Sequence, residues 1–190
     1  HAEGTARVDV LNQLTYEYIG TDNKQALALN EEASALANRL NYTKGIGKAY
    51  IYRGVYEYLS GENPLGIDYL KKGLEWVSKA NDREMKGYAY LQLGNSYMNL
   101  TQFDSSLANY DHAYEVLKDS TNPVNLSKLY KNLGTLYGLR SSYDLQVKYL
   151  NRSLAIREKL GDPVLVADAL VEIGRLNASN SNFDVAEGYL

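Results

Sequence analysis

Apolar and polar positions alternate with a helical period along the whole chain. Between 126 and 139 the apolar and aromatic residues are Leu126, Leu129, Tyr130, Leu133, Leu136 and Tyr137, which keeps one face of a 3.6-residue helix. Leu145, Tyr149, Leu150, Leu154 and Ile156 continue the pattern on a second helix. The spacing predicts helices over 6–19, 22–40, 43–60, 63–80, 82–100, 104–119, 122–140, 144–160, 162–180 and 184–190. No segment shows the two-residue alternation of a strand. Helix starts agree with this division. Asn63-Pro64, Asn122-Pro123 and Asp162-Pro163 each place a capping side chain before a proline. Asp22 with Gln25 has capping-box spacing.

The pattern also repeats. Gly54, Gly94, Gly134 and Gly174 lie forty residues apart in similar surroundings, and Leu14 holds the same place in a first unit. Twelve positions later stand Ala26, Gly66, Ser106, Gln146 and Ala186, mostly small. Nineteen later stand Ala33, Gly73, Ala113 and Ser153, all small. Nine later stand Asn23, Asn63, Phe103, Tyr143 and Phe183, with Asp104, Asp144 and Asp184 following the last three. Glycine inside a helix costs about 1 kcal/mol relative to alanine. Its recurrence at one register predicts a close helix–helix approach, with small residues of the first helix facing small residues of the second. Asp104, Asp144 and Asp184 are expected to accept from the free N–H groups at the start of each second helix.

These columns resemble the tetratricopeptide repeat (TPR), whose pattern is apolar–Gly–x–x–Tyr on helix A and aromatic–Asp–x–Ala on helix B. Leu93, Gly94, Tyr97, Phe103 and Asp104 fit it, as do Leu133, Gly134, Tyr137, Tyr143 and Asp144. Glu57 stands where unit 2 should have Tyr, and Gln146 where unit 4 should have a small residue. The resemblance implies an all-α, right-handed α-α superhelix of about five helical pairs. The units run over 6–42, 43–81, 82–121, 122–161 and 162–190 as a single repeat domain. The fifth is expected to be cut short within a helix, the chain being part of a longer one. The forty-residue length is similar to the long-helix variety found in bacterial signalling proteins and kinesin light chains. Thr5 to Asn12, Lys24 to Leu27 and Leu40 to Gly45 resemble the opening of TPR sensor regions that precede histidine kinase, nucleotide cyclase or DNA-binding modules. That likeness implies an extracytoplasmic location, with the cytoplasm as the alternative.

Composition narrows the chemistry. The chain has 190 residues, no Cys and 2 His, so a disulfide framework, a thiolate metal site and a multi-His site are not expected. The net charge of −3 lacks the basic excess of a nucleic-acid binder. No run of 18 apolar residues is present, so no membrane insertion by this segment is expected. Gly45-Ile46-Gly47-Lys48 fails the phosphate-loop spacing, since Tyr42 stands at the first glycine and Ala49 follows the lysine. His112 has no Ser or Cys partner in a recognisable motif. No catalytic residue, metal or cofactor is implied for this region. An output enzyme beyond residue 190 is left open.

The resemblance places a partner on the concave face, lined by the A helices. Its register assigns a protein- or peptide-binding groove to Tyr18, Lys48, Tyr58, Tyr88, Asn95, Met98, Asn99, Lys128, Lys131, Asn132 and Arg175. Asn side chains can pair with an extended peptide backbone, and Lys or Arg with a carboxylate. Lys131-Asn132-Leu133-Gly134 is similar to the groove-lining Lys and Asn of peptide-binding members, but Leu91 stands where the chaperone-tail type has Lys. Of the 18 Tyr, 11 fall on A helices. Most are expected to pack the thin core, with Tyr18, Tyr58 and Tyr88 left as groove aromatics. A homodimer through the solenoid is a further possibility. The expected function is a non-catalytic, sensory or regulatory binding region, with a stand-alone assembly adaptor as the alternative.

Overall fold

The computed structural model describes residues 2–180 and 182–188. Among them are ten helices and no strand: α1 (Ala2–Tyr18), α2 (Asn23–Arg39), α3 (Thr43–Leu59), α4 (Asn63–Lys79), α5 (Arg83–Asn99), α6 (Phe103–Leu117), α7 (Val124–Leu139), α8 (Tyr143–Leu160), α9 (Pro163–Ser179) and α10 (Phe183–Glu187). The expected boundaries agree within about two residues, except that α1 starts earlier and α10 ends at Glu187, the expected positions 189 and 190 lying outside the described residues. Odd-numbered helices are the A helices and even-numbered ones the B helices.

The chain divides into two compact units, His1–Val116 and Leu117–Leu190. In the first unit, α1 to α5 pack consecutively, α3 also touches α1 and α5, and Ser106 and Tyr110 of α6 meet Gly94 of α5. A helices therefore meet neighbours on several sides. α5 buries an unbroken run from Gly87 to Ser96 apart from Tyr90, whereas α4 buries only a stripe of Gly66, Ile67, Leu70, Gly73 and Val77. Val8, Ala37 and Ile46 form one core cluster, flanked by Tyr42, Tyr50 and Trp76. In the second unit α8 packs on α7 and α9, and α10 on α9. Its core is Leu150, Leu154, Ala169, Ile173 and Leu176.

The small-residue columns meet as the sequence predicts. A Cβ on Gly54 would lie 2.9 Å from the Gly66 carbonyl, and one on Gly66 2.9 Å from the Gly54 carbonyl. One repeat later Ser106 uses its hydroxyl to donate to the Gly94 carbonyl at 2.8 Å. The column nineteen positions on meets a second column, on helix A. Gly73 faces Gly47, and Ser153 donates to the Ser127 carbonyl at 2.8 Å. Gly47, Gly87 and Ser127 are themselves forty residues apart, so the column was visible in the sequence.

Helix starts differ in one respect. Asp22, Asp82 and Asp162 are true N-caps, accepting from Gln25, Met85 and Val164 with Leu165. Asp104, Asp144 and Asp184 lie inside the first turn of α6, α8 and α10. From there they act on the helix dipole. Asn63 likewise is the first residue of α4, and Glu62 holds its cap position.

Candidate functional site

The predicted groove positions behave differently in the two units. On α1, α3 and α5 much of the A-helix surface is core: Leu11, Ile51, Val55 and Leu91 are all buried. Tyr88 is buried with them. Its ring lies 6.2 Å from that of Tyr16 and 6.4 Å from that of Tyr52, and those two are 5.5 Å apart. The three tyrosines thus fill the space between successive A helices, and Tyr88 offers no ring to a ligand. Burial, followed by the neighbouring Tyr16 and Tyr52, pushes the Tyr88 hydroxyl well above its ordinary pKa. Asn95 is also internal. Its Oδ1 accepts from the Tyr110 hydroxyl at 2.8 Å, and its Nδ2 donates to Gln92 at 3.0 Å. Tyr110 is fully buried against Gly94, so this network belongs to the core.

Lys48 is half-buried and its ammonium pairs with Asp9 at 3.3 Å. The Tyr42 hydroxyl donates to the other Asp9 oxygen at 3.0 Å. Burial and that carboxylate push Tyr42 up to about 12. Lys44 makes the next link, to Asp82 at 3.2 Å. These pairs bridge α1 to α3 and α3 to the start of α5, and the expected groove cation Lys48 is engaged in one of them. What remains at the surface is the far end of each A helix. Tyr18 is exposed, as are Leu59 and Asn99, while Tyr58 and Met98 are half-buried. Burial raises the Tyr58 pKa, opposed by its hydrogen bond with Asn99.

The second unit leaves its A-helix face open. Thr135, Leu139, Val171, Arg175 and Ser179 are exposed, and Lys128, Lys131 and Asn132 are half-buried. A cleft of about 390 Å³ lies among α7, α8 and α9, lined by Thr135, Gln146, Leu150, Glu172, Arg175, Leu176 and Ser179. Its floor is the apolar pair Leu150 and Leu176; its rim is polar. Glu172, on its lining, pairs with Lys131 of α7 at 2.5 Å. Arg175 sits one helical turn beyond Glu172. Of the expected residues, Arg175 lines this cleft, and Lys131 reaches its edge through its pair with Glu172. Gln146 and Glu172 were not anticipated. Gln146 occupies the small-residue column of helix B, and its side chain fills the space over Gly138. Its departure from the column was the available signal; for Glu172 the sequence carried none.

Hydroxyl, amide, guanidinium and carboxylate groups over an apolar floor can bind an extended chain and orient it. Among the described residues no group of three or more metal-ligating side chains occurs, and no helix is long and apolar enough to cross a membrane.

Comparison with solved structures shows what this architecture is similar to. The chain superposes on BtubC from P. vanneervenii with a TM-score of 0.74 and 19% identity, covering 100% of this chain and 86% of that one. A STAND protein with a tetratricopeptide repeat sensor from Pyrococcus horikoshii gives a TM-score of 0.73 at 17% identity, covering 96% of this chain and 28% of that one. The Rap conjugation gene regulator of plasmid pLS20, in complex with the Phr* peptide, gives 0.78 at 15% identity, covering 92% and 48%. No protein-family model and no curated protein matches the sequence. At such identities the likeness shows the fold, and the fold is that of an all-α TPR-type solenoid.

Proposed function

We propose that this chain is a non-catalytic, protein- or peptide-binding repeat region that serves as the sensory or regulatory part of a signal-transduction protein. The observation that carries the reading is the cleft on the second unit, where an apolar floor is ringed by Thr135, Gln146, Glu172, Arg175 and Ser179. Such a site suits an extended peptide segment with one apolar and one acidic side chain. A protein with a TPR sensor and a regulator in complex with a peptide, both among the structural neighbours, support the same use of the fold. The exposed ends of the first unit's A helices, with Tyr18, Leu59 and Asn99, provide a second contact region.

The test is a selection of random displayed peptides on the full chain, followed by titration of the winners. Replacing Lys131 and Arg175 together with Ala should weaken the selected peptides by about tenfold or more, since each removes a charged hydrogen-bond donor. Circular dichroism should be unchanged, because both side chains reach solvent. Peptides that bind the double variant as tightly as the parent chain would sink this reading, as would a selection that yields none.

A further inference from the structure

One core column changes character in the fourth repeat. Ala37, Val77, Leu117 and Arg157 are successive members, forty residues apart. Their exposures are 0%, 0%, 1% and 4%. The first three are apolar; the fourth is a guanidinium. Nη1 of Arg157 donates to the Leu165 carbonyl at 2.9 Å, and Nε has no partner. Among the described residues no carboxylate pairs with it. Its acidic chain neighbours Glu158 and Asp162 are exposed, and Asp162 is occupied with the Val164 and Leu165 N–H groups.

An arginine cannot shed its charge to escape burial. A single backbone carbonyl repays little of the hydration it has lost. Any motion that parts α8 from the start of α9 returns water to the guanidinium, so the charge favours that opening. The connection is built to allow it. Gly161, between the two helices, is exposed at φ +69°, with nothing within 4 Å of the place its Cβ would occupy. Leu160 and Val164 on either side are exposed, so little apolar surface holds the helix ends together at the turn itself; the core shared by α8 and α9 lies farther along, at Leu150, Leu154, Ala169 and Ile173.

We infer that the α8–α9 junction is a built-in hinge of the second unit, opened by hydration of Arg157. α9 carries Glu172 and Arg175, so the hinge also sets the width of the cleft between α7 and α9. The inference concerns the unliganded chain and stands apart from the peptide-binding reading.

Native-state hydrogen exchange of the full chain, without ligand, tests it. Amides of the last turn of α8 and of α9 should exchange faster than those of the α4–α5 junction, where Val77 holds the same position. Arg157→Leu should slow the α8–α9 amides by roughly tenfold and leave α3 and α4 unchanged. Arg157→Met, which keeps an unbranched side chain, should act in the same direction. Equal exchange at the two junctions overturns the hinge. So does a variant that slows exchange everywhere alike or not at all, and so does failure of both variants to fold, because the charge would then be holding the joint together.

Discussion

Thr101 illustrates how single residues carry the turns. It holds φ +57° in the connection between α5 and α6, a left-handed conformation that β-branched side chains rarely adopt. Gly61 holds the same turn one repeat earlier at φ +89°, without a Cβ to strain. Thr101→Gly should therefore stabilise the chain by about 0.5–1 kcal/mol, the strain relieved being partly offset by a more flexible unfolded chain. Thermal unfolding should show a rise of a few degrees; a fall would mean that the Thr101 hydroxyl, which donates to the Leu100 carbonyl at 2.7 Å, matters more than the strain. The same scale decides Asn95 and Arg157. The first is captured by Tyr110 and Gln92, and the second is left with one carbonyl.

The helix pair is the next unit of argument. α3 and α4 approach backbone to backbone where Gly54 meets Gly66, and a Cβ at position 54 would also lie 3.0 Å from the Leu70 amide nitrogen. Backbone cannot step aside as a side-chain tip can, so Gly54→Ala should cost about 2–3 kcal/mol. In α7 the matching glycine faces mainly the Leu150 side chain at 3.0 Å, so Gly134→Ala should cost less. Chemical denaturation of the two variants ranks them. An equal or reversed order would refute the idea that backbone contact sets the penalty. Helix starts were legible for the same local reason at Asp22 and Asp162, which cap within three residues of their own position. The partner column of Gly47 and Ser127 was present in the spacing, yet it gains meaning only once helix B is seen to return along helix A.

Over the whole molecule the tyrosines divide by what surrounds them. In the first unit, burial raises the pKa of Tyr42, Tyr52, Tyr58, Tyr88 and Tyr110 above the ordinary 10. Their neutral forms belong to the fold, so their contribution to stability is intact below pH 10. It is lost as pH rises from there through their folded values, because the unfolded chain then releases protons that the folded one keeps. Alkaline titration should show part of the tyrosinate absorbance appearing only together with the loss of helical circular dichroism. Full ionisation near pH 10 with the helices intact would contradict the burial. The second unit contributes the open face instead, where Thr135, Arg175 and Ser179 meet solvent.

The sequence by itself determined the repeat, the helical pairs and most of their ends, because those follow from a period, a column of small residues and a few capping side chains close in the chain. Only the tertiary structure decided which groove positions are open. Tyr88 and Asn95 share the register of Lys128 and Thr135, yet the first two are buried and the others are not. Exposure there depends on what neighbouring helices supply: the rings of Tyr16 and Tyr52 around Tyr88, the hydroxyl of Tyr110 at Asn95. The pairing of Lys131 with Glu172 and the lack, among the described residues, of a carboxylate paired with Arg157 arise in the same way. They depend on side chains brought together from different turns and helices, and a repeat register assigns a position without specifying what will stand opposite it.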